Sequence, residues 1–297
     1  MTSSSNASSP ADYAGFFINL DRSVQRRSET EAELARHGLL SSYQRFAAAE
    51  GNALNLPNPH NLSAGVMGCF TSHYLLLKQN LKSDKHLHVI EDEAVFASCA
   101  AQVIKGVIAS GFLDAYDIVY TDISVPLRND IHKLYKSAYD KAVKRDPSGK
   151  IESASFNVLD VRNRTYASTS SFLVNRNSIQ KLHDIFEKEL LAGTGNPVDL
   201  IIRDKNHRGV LKVGCIFPFV TSVRLGNSFA STVDPRQDRE PELAVDIART
   251  MFFIESDWAQ CQAHLDRYAP PPPVEDKLAH MLGQLLTYSL SDKYRFF

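Results

Sequence analysis

Three adjacent acids, Glu91, Asp92 and Glu93, are the residues whose types and spacing most clearly suggest chemistry. They follow the largely apolar run 87–90, which is typical of a buried strand. Like charges this close repel strongly unless a cation relieves them, and a divalent metal would do so. Carboxylate oxygens suit Mg²⁺ or Mn²⁺, particularly where the ion also holds substrate phosphates. The alternative interpretation is a solvated acidic turn after an edge strand.

A series of short strands and helices would position these acids. Hydrophobic periodicity predicts strands at 15–20, 44–48, 87–90, 115–120 and 168–174, and helices at 23–38, 65–81, 100–110 and 178–191. Ser23 or Asp21 can cap the first helix, because both side chains accept hydrogen bonds from first-turn amides. Asn177 is the predicted cap of the helix at 178–191.

The alternation of strands and helices predicts an α/β fold with a mainly parallel sheet covered by helices. Ligands of such folds bind beyond the carboxyl ends of the strands. The three acids fall on that edge, and so does Asp122, which follows the strand at 115–120. Asp199 comes after a Gly- and Pro-rich loop, inside the otherwise apolar stretch 198–202.

Two later segments depart from this alternation. Residues 130–145 show an amphipathic pattern that predicts a surface helix, ended by the turn residues 146–149. Apolar residues at helical spacing predict one long helix over 242–268, which four prolines at 270–273 must end. A last helix is predicted at 274–289.

The predicted organisation is a flexible N-terminus at 1–13, an α/β domain at 14–234 and a C-terminal helical appendage at 235–297. The appendage either packs on the main domain or pairs with a second copy to form a homodimer.

Composition excludes several classes of protein. The 297 residues include 33 basic and 34 acidic residues, giving a net charge of −1, so the basic excess of a nucleic-acid-binding protein is missing. The four cysteines show no Cys-x-x-Cys spacing and are predicted to be buried free thiols. Neither a signal peptide nor a membrane span is evident. These features predict a soluble, cytoplasmic protein.

Several stretches, in this order, resemble glycosyltransferase family 25, the lipooligosaccharide and collagen galactosyltransferase group. The stretches are Phe17-Ile18-Asn19-Leu20-Asp21-Arg22 with Arg26-Arg27, Gly68-Cys69-Phe70-Thr71-Ser72-His73, Val89-Ile90-Glu91-Asp92-Glu93 with Phe96, Ser171-Phe172-Leu173-Val174-Asn175-Arg176, Pro197-Val198-Asp199, Phe217-Pro218 and Ser231-Thr232. The resemblance implies a GT-A-type nucleotide-binding fold, a UDP-galactose or UDP-glucose donor, Mn²⁺ or Mg²⁺, and inversion at the anomeric carbon.

The resemblance also assigns donor-binding roles. Asn19, Leu20 and Arg22 would line the nucleotide pocket, and Arg26 would reach a phosphate. Two basic residues near a helix start oppose the helix dipole, which a bound anion would correct. The alternative is that both arginines are charges on an exposed helix face. Ser72 and His73 are assigned to the donor site from the second motif, with helix packing as their alternative.

The remaining roles that the resemblance implies are metal binding and the removal of the proton from the acceptor hydroxyl. Glu91, Asp92 and Glu93 would form the acidic metal motif. Inversion needs a general base that takes a proton from the acceptor hydroxyl, with Asp199 as the first candidate and Asp122 as the second. Cys69 is assigned to packing.

The chain departs from the family pattern in two places. Glu93 stands where the family usually has Asp, and Val66 and Met67 stand where an acid commonly precedes the Gly-Cys pair. Both changes bear on metal affinity and donor choice.

The resulting hypothesis is a metal-dependent inverting glycosyltransferase that moves a hexose from a UDP-sugar to a hydroxyl of a glycan, a lipid-linked sugar or a hydroxylated peptide. The alternative is a catalytically impaired binding or scaffold protein of the same fold, which dimerises through its C-terminal helices. No Gly-x-Gly-x-x-Gly follows the first strand, which argues against a dinucleotide-dependent oxidoreductase.

Overall fold

A computed structural model describes residues 13–125, 128–135, 142–145, 151–224, 247–268 and 274–290. Its strands are β1 (Tyr13–Asn19), β2 (Tyr43–Ala47), β3 (His86–Glu91), β4 (Ala94–Phe96), β5 (Ile118–Tyr120), β6 (Val143–Arg145), β7 (Ile151–Ala154), β8 (Asn157–Asp160), β9 (Ser171–Val174), β10 (Val213–Phe217) and β11 (Thr221–Val223). Its named helices are α1 (Val24–Arg36), α2 (Ala64–Gln79), α3 (Ala100–Ala109), α4 (Arg128–Leu134), α5 (Ile179–Ala192), α6 (Val198–His207), α7 (Trp258–Tyr268) and α8 (Lys277–Leu290).

The main sheet has seven strands in the order β2-β1-β3-β9-β5-β10-β8. The strand pairs β2 with β1, β1 with β3 and β5 with β10 are parallel, whereas β9 and β8 pair antiparallel with their neighbours. Five of the seven strands therefore run the same way. The predicted α/β class with a mainly parallel mixed sheet is confirmed.

Strand β1 and helix α1 help to position the acidic turn at the end of β3. Gly15 is needed in β1 because a Cβ there would lie 2.7 Å from the carbonyl oxygen of Ser42, the residue just before β2. Helix α1 begins after Ser23, although the Ser23 side chain makes no capping hydrogen bond. Thr30 Oγ1 donates to the Asp92 carbonyl oxygen at 3.0 Å, so α1 is tied directly to the turn.

Helix α2 starts near the same acidic turn, and a capping residue fixes its first turn. The Ser63 side chain accepts from the Val66 amide at 3.2 Å and caps the helix. A Cβ at Gly68 would lie 2.7 Å from the Ala49 carbonyl oxygen, so this glycine lets the helix approach the loop after β2. The buried Phe70 ring meets Phe186 of α5 edge-on at 5.3 Å.

The predicted helix at 242–268 is wrong in its described part. Helical backbone spans 247–251 and α7 starts only at Trp258, with an isolated β-bridge between Phe253 and Phe219 in between. The Phe219 amide donates to the Phe252 carbonyl at 3.0 Å, and the Ile254 amide donates to the Phe219 carbonyl at 3.0 Å. These bonds to the main domain replace the helical hydrogen bonds, and residues 252–254 join its core.

Other local predictions also need correction. The amphipathic segment at 130–145 ends as strand β6, which pairs antiparallel with β7. Asn175, and not Asn177, is the capping side chain, because its Oδ1 accepts from the Asn177 amide at 3.0 Å before a short 3-10 turn leads into α5. The strand expected at 115–120 begins only at Ile118.

Three expectations fall outside the described residues: the turn at 146–149, the helix start at 242–246 and the prolines at 270–273. Of the flexible start expected at 1–13, the structure describes only Tyr13, which already lies in β1. The four cysteines are free thiols; Cys215 and Cys261 are buried, as predicted, whereas Cys69 and Cys99 are only half-buried. Within the described ranges, no helix is both long enough and apolar enough to cross a membrane.

Candidate active site

A cavity of about 300 Å³ opens at the carboxyl edge of β1 and β3, between the starts of α1 and α2. Its walls come from the end of β1, the loop at 48–52, the start of α2 and the acidic turn. All six predicted donor-binding residues and all three predicted metal ligands line it: Asn19, Leu20, Arg22, Arg26, Ser72, His73, Glu91, Asp92 and Glu93. Among the described residues that line the cavity, neither Asp122 nor Asp199 occurs.

Asp92 and Arg26 form an ion pair at the cavity wall, with Arg26 Nη2 on Asp92 Oδ1. Asn19 Nδ2 donates to the other carboxylate oxygen, Asp92 Oδ2, at 2.6 Å. Burial raises the pKa of Asp92, whereas the charge of Arg26 and the Asn19 hydrogen bond oppose that rise. Arg26 therefore supplies a counter-charge to the acidic turn.

Glu91 faces the opposite way, toward α2. Its Oε1 accepts from Thr169 Oγ1 at 2.7 Å and lies 3.2 Å from His73 Nε2 and 3.8 Å from Cys69 Sγ. Burial opposes ionisation of Glu91, but the hydrogen bond and charge of His73, the Thr169 hydrogen bond and the charge of Arg26 together lower its pKa below the ordinary value. Glu91 is thus a carboxylate held in one orientation.

The third acid and the nearby arginine lie at the rim. Glu93 Oε2 contacts Arg26 Nη2 at 3.4 Å from the outer side. Arg22 is ion-paired with Glu50 of the loop at 48–52, and both side chains are exposed. Arg45 Nε donates to Asn19 Oδ1 at 3.1 Å and orients that amide. The rim is therefore a mixed-charge surface around the Asp92 pair.

The three acids do not converge on one point, and this bears on the expected Mn²⁺ or Mg²⁺ site. Glu91 faces α2, while both oxygens of Asp92 already accept hydrogen bonds, from Arg26 and Asn19. Adjacent side chains at a strand end point in different directions, which accounts for the separation. The structure does not assemble Glu91, Asp92 and Glu93 as one ligand set.

A different group does bring ligand atoms together. Cys69, His73 and Glu91 each present one ligand atom, and the three atoms lie within 4.8 Å of one another. Burial raises the pKa of the Cys69 thiol well above its ordinary value, and the charges of Glu91 and Asp199 add to this, so Cys69 is a neutral thiol that only a bound cation would deprotonate. The spacing of four between Cys69 and His73 on a predicted helix was the available sequence signal for this group.

Ser72 helps to shape the cavity. Its hydroxyl accepts from the Ala49 amide at 2.9 Å and donates to the Gly68 carbonyl at 2.6 Å. It thereby fixes the loop at 48–52 against α2, while the side chain itself is fully buried. Thr169, which orients Glu91, carried no sequence signal, because it is 78 positions away along the chain.

The two candidate general bases occupy different environments. Asp122 is fully buried, forms an ion pair with Arg249 and accepts from Thr221 Oγ1 at 2.9 Å, so its carboxylate cannot reach an acceptor hydroxyl. Asp199 is half-buried in the first turn of α6. Its Oδ2 accepts from the amide of Ser168, a residue with a positive φ of 90°, at 2.9 Å.

Comparison with known proteins identifies the family. The family model for glycosyltransferase family 25 (LPS biosynthesis protein) matches residues 13–202. No curated protein sequence matches the chain. Among solved structures, mouse xyloside xylosyltransferase 1 in its apo form is similar at 12% identity and a TM-score of 0.33, over 67% of this chain and 70% of that one. The family match covers β1 through the first half of α6 and includes every residue that lines the cavity. The chain belongs to glycosyltransferase family 25.

Proposed function

We propose that the protein is an inverting hexosyltransferase that moves galactose or glucose from a UDP-sugar to a hydroxyl group of a glycan, a lipid-linked sugar or a hydroxylated peptide. Family membership supports glycosyl transfer from a nucleotide-sugar donor. The cavity, at about 300 Å³, is large enough for part of such a donor. Its position at the carboxyl edge of the sheet agrees with donor binding in α/β folds.

The observation that carries this proposal is the Arg26 guanidinium in the first turn of α1. This turn contains no acidic residue, and its free amides and helix dipole favour an anion. Arg26 Nε is buried and has no hydrogen-bond partner among the described residues. A phosphate oxygen would satisfy this N–H, because guanidinium groups bind phosphates through paired donors.

Glycosyl transfer needs positive charge beside the leaving diphosphate. Negative charge grows on the leaving diphosphate as the glycosidic bond breaks, and preorganised cations stabilise it. Arg22 and Arg26 both line the cavity, and Asp92 and Glu93 hold the Arg26 guanidinium in position. Because the three acids do not converge as a ligand set, no step is assigned to a metal ion.

Asp199 remains the proposed general base. Inversion requires a group that takes the proton of the acceptor hydroxyl as that oxygen attacks the sugar. Asp199 Oδ2 accepts from the Ser168 amide, and the next residue, Thr169, donates to Glu91 of the cavity wall. Asp122 is dropped from the catalytic set, because it is fully buried against Arg249.

The test is calorimetric titration of the protein with UDP, UDP-galactose and UDP-glucose in EDTA, repeated with Arg26→Gln and Arg27→Gln. Arg27 is the matched control, since it follows Arg26 on α1 but is exposed and pairs with Glu31. We expect binding to the wild type and to Arg27→Gln, and binding weakened at least about tenfold in Arg26→Gln.

Product analysis completes the test. We expect the transferred sugar to show inverted anomeric configuration by NMR. A folded wild-type protein that binds none of the UDP compounds would overturn the proposal.

One observation favours the scaffold alternative. Helix α8 exposes an apolar row, consisting of Leu278, Met281, Leu282 and Leu285, on one face. A second copy of the chain could cover this row. Sedimentation equilibrium would show a wild-type dimer that Leu282→Glu converts to a monomer, and a dimer that turns over no UDP-sugar would favour the scaffold function.

A further inference from the structure

We propose that Cys69, His73 and Glu91 form a three-ligand binding site for a zinc-class divalent cation, with the fourth position open to the cavity. The His73 Nε2 and Cys69 Sγ atoms lie 3.2 Å and 3.8 Å from Glu91 Oε1, and all three atoms lie within 4.8 Å of one another. This site shares only Glu91 with the acidic motif. It does not depend on the proposed donor sugar or on Arg26.

The local structure places the two α2 ligands on one side of the helix. Cys69 and His73 are four residues apart, a spacing that brings side chains together one turn apart and that zinc-binding helices use for paired histidines. The His73 ring packs at 5.6 Å from the Phe172 ring, which restricts its rotation. Both α2 ligands are therefore held before any ion arrives.

The strand supplies the third ligand in a fixed orientation. Glu91 is the last residue of β3, and its amide donates to the Ser170 carbonyl at 2.8 Å. Thr169 Oγ1 donates to Glu91 Oε1 at 2.7 Å. Outer hydrogen bonds of this kind orient metal ligands and raise metal affinity.

The distances agree with tetrahedral coordination. Zinc bonds of about 2.0–2.2 Å to nitrogen and oxygen and about 2.3 Å to sulfur imply ligand separations of about 3.3 Å for nitrogen to oxygen and about 3.6 Å for sulfur to oxygen. The observed separations are 3.2 Å and 3.8 Å. Cys69 Sγ and His73 Nε2 lie within 4.8 Å of each other, whereas a tetrahedral site separates sulfur and nitrogen by about 3.6 Å, so ion binding would draw these two side chains together by at most about 1.2 Å.

The donor types decide the class of ion. A thiolate, an imidazole and a carboxylate suit Zn²⁺ or Co²⁺, whereas Mg²⁺ and Mn²⁺ prefer oxygen ligands throughout. All three residues line the cavity, so the fourth position faces the space where water or substrate would lie. Sites with three protein ligands and one open position are typical of reactive rather than purely structural zinc.

Cobalt titration of the metal-stripped, full-length protein tests the site. Co²⁺ is the probe, because a cysteine ligand adds a thiolate-to-cobalt charge-transfer band in the near ultraviolet to the visible bands of a tetrahedral ion. We expect one equivalent of Co²⁺ to bind with this band and Zn²⁺ to displace it. Cys69→Ser should abolish the band and weaken Co²⁺ binding at least about tenfold, and His73→Gln should weaken it similarly.

Cys99→Ser is the matched control, because Cys99 is also a half-buried free thiol but lies outside the cluster. It should leave the cobalt spectrum unchanged. A folded wild-type protein that takes up no Co²⁺, or one whose spectrum is the same with Cys69→Ser, would overturn the proposal. UDP binding in EDTA is measured separately, so either proposal can fail without the other.

Discussion

Arg249 and Asp122 form a buried ion pair just beyond the end of β5, although they are 127 positions apart in the chain. Arg249 Nε lies 2.5 Å from Asp122 Oδ2, and the side chains are 3% and 0% exposed. Arg249 also contacts Ser170 Oγ, next to the Thr169 that orients Glu91. A residue beyond the 13–202 family match therefore supports the floor of the candidate site.

Removing Arg249 should destabilise the fold. Arg249→Met leaves the Asp122 carboxylate buried without its partner, which typically costs about 3–5 kcal/mol. Urea unfolding measures this loss. Arg208→Met is the control, because Arg208 pairs with Asp204 at the exposed surface, where the expected loss is below about 1 kcal/mol. Equal losses in both variants would contradict a special role for Arg249.

The Arg249–Asp122 ion pair also bears on whether the C-terminal segment can be removed. We expect a chain truncated after Val233 to be unstable, because it lacks Arg249 and the core residues Phe252, Phe253 and Ile254. Circular dichroism of the truncated protein checks this. If the truncated chain is folded and active, the C-terminal segment is a separable appendage, as the sequence predicted, and not a part of the main core.

Asp92→Asn should tighten the binding of UDP in EDTA. The change removes the negative charge that faces Arg26, while the amide oxygen can still accept from Asn19. We expect the Kd for UDP to fall by about three- to tenfold, in keeping with a charge interaction of about 1 kcal/mol. Weaker binding of UDP in EDTA would show that Arg26 does not bind the diphosphate directly.

Asp199→Asn should separate the catalytic role of Asp199 from its structural role. The amide oxygen can still accept from the Ser168 amide, but the NH2 group cannot accept from the Leu200 amide, which donates to Asp199 Oδ1 at 2.9 Å. We therefore expect the free energy of unfolding to fall by no more than about 1 kcal/mol. Loss of the base should lower kcat by about 10²–10⁴-fold. Asp199→Ala should also destabilise the fold, by about 1–3 kcal/mol, because the Ser168 amide loses its partner. An unchanged kcat with Asp199→Asn would remove Asp199 as the base.

His88 should make the fold sensitive to acid. Burial lowers the pKa of His88 to about 3, while the unfolded chain takes up a proton near its ordinary pKa of about 6.5. The unfolded state therefore binds more protons below pH 6.5, so the free energy of unfolding falls as the pH falls. From pH 6.5 to 5 this loss should reach about 2 kcal/mol.

Urea unfolding at several pH values tests this effect. His88→Gln should flatten the profile between pH 6.5 and 5, whereas His207→Gln should not, because His207 is exposed. The same slope in wild type and His88→Gln would assign the acid sensitivity to other groups.

Local sequence patterns were sufficient for strands β1, β2, β3, β5 and β9 and for helices α1, α2, α3 and α5, but they missed β4, β6, β7, β8 and α6. Runs such as β1 and β3 are buried apolar segments, and the face of α2 with Phe70 and Leu77 repeats at helical spacing. These features depend on neighbouring residues, so they are readable without long-range contacts. The same logic placed the three adjacent acids at one edge of a mainly parallel sheet, whereas the donor-binding residues were implied by the family resemblance.

The pattern failed where distant residues compete with local preference. Residues 242–268 carry a helical repeat, yet Phe253 bridges to Phe219 and the helix stops. The hydrogen bonds of that bridge come from Phe219, which lies more than 30 positions earlier in the chain. A pattern read from neighbouring residues cannot include this contact.

The sequence by itself determined that three adjacent acids stand at the end of β3 and that Arg22 and Arg26 stand at the start of α1. Only the tertiary structure decided which way each acid faces: Asp92 toward Arg26, and Glu91 toward His73, Cys69 and Thr169. The reason is physical, since repulsion among adjacent carboxylates is relieved by whichever donors the packing of α1, α2 and β9 brings within hydrogen-bonding distance. Those donors lie 18 to 78 positions from the acids along the chain.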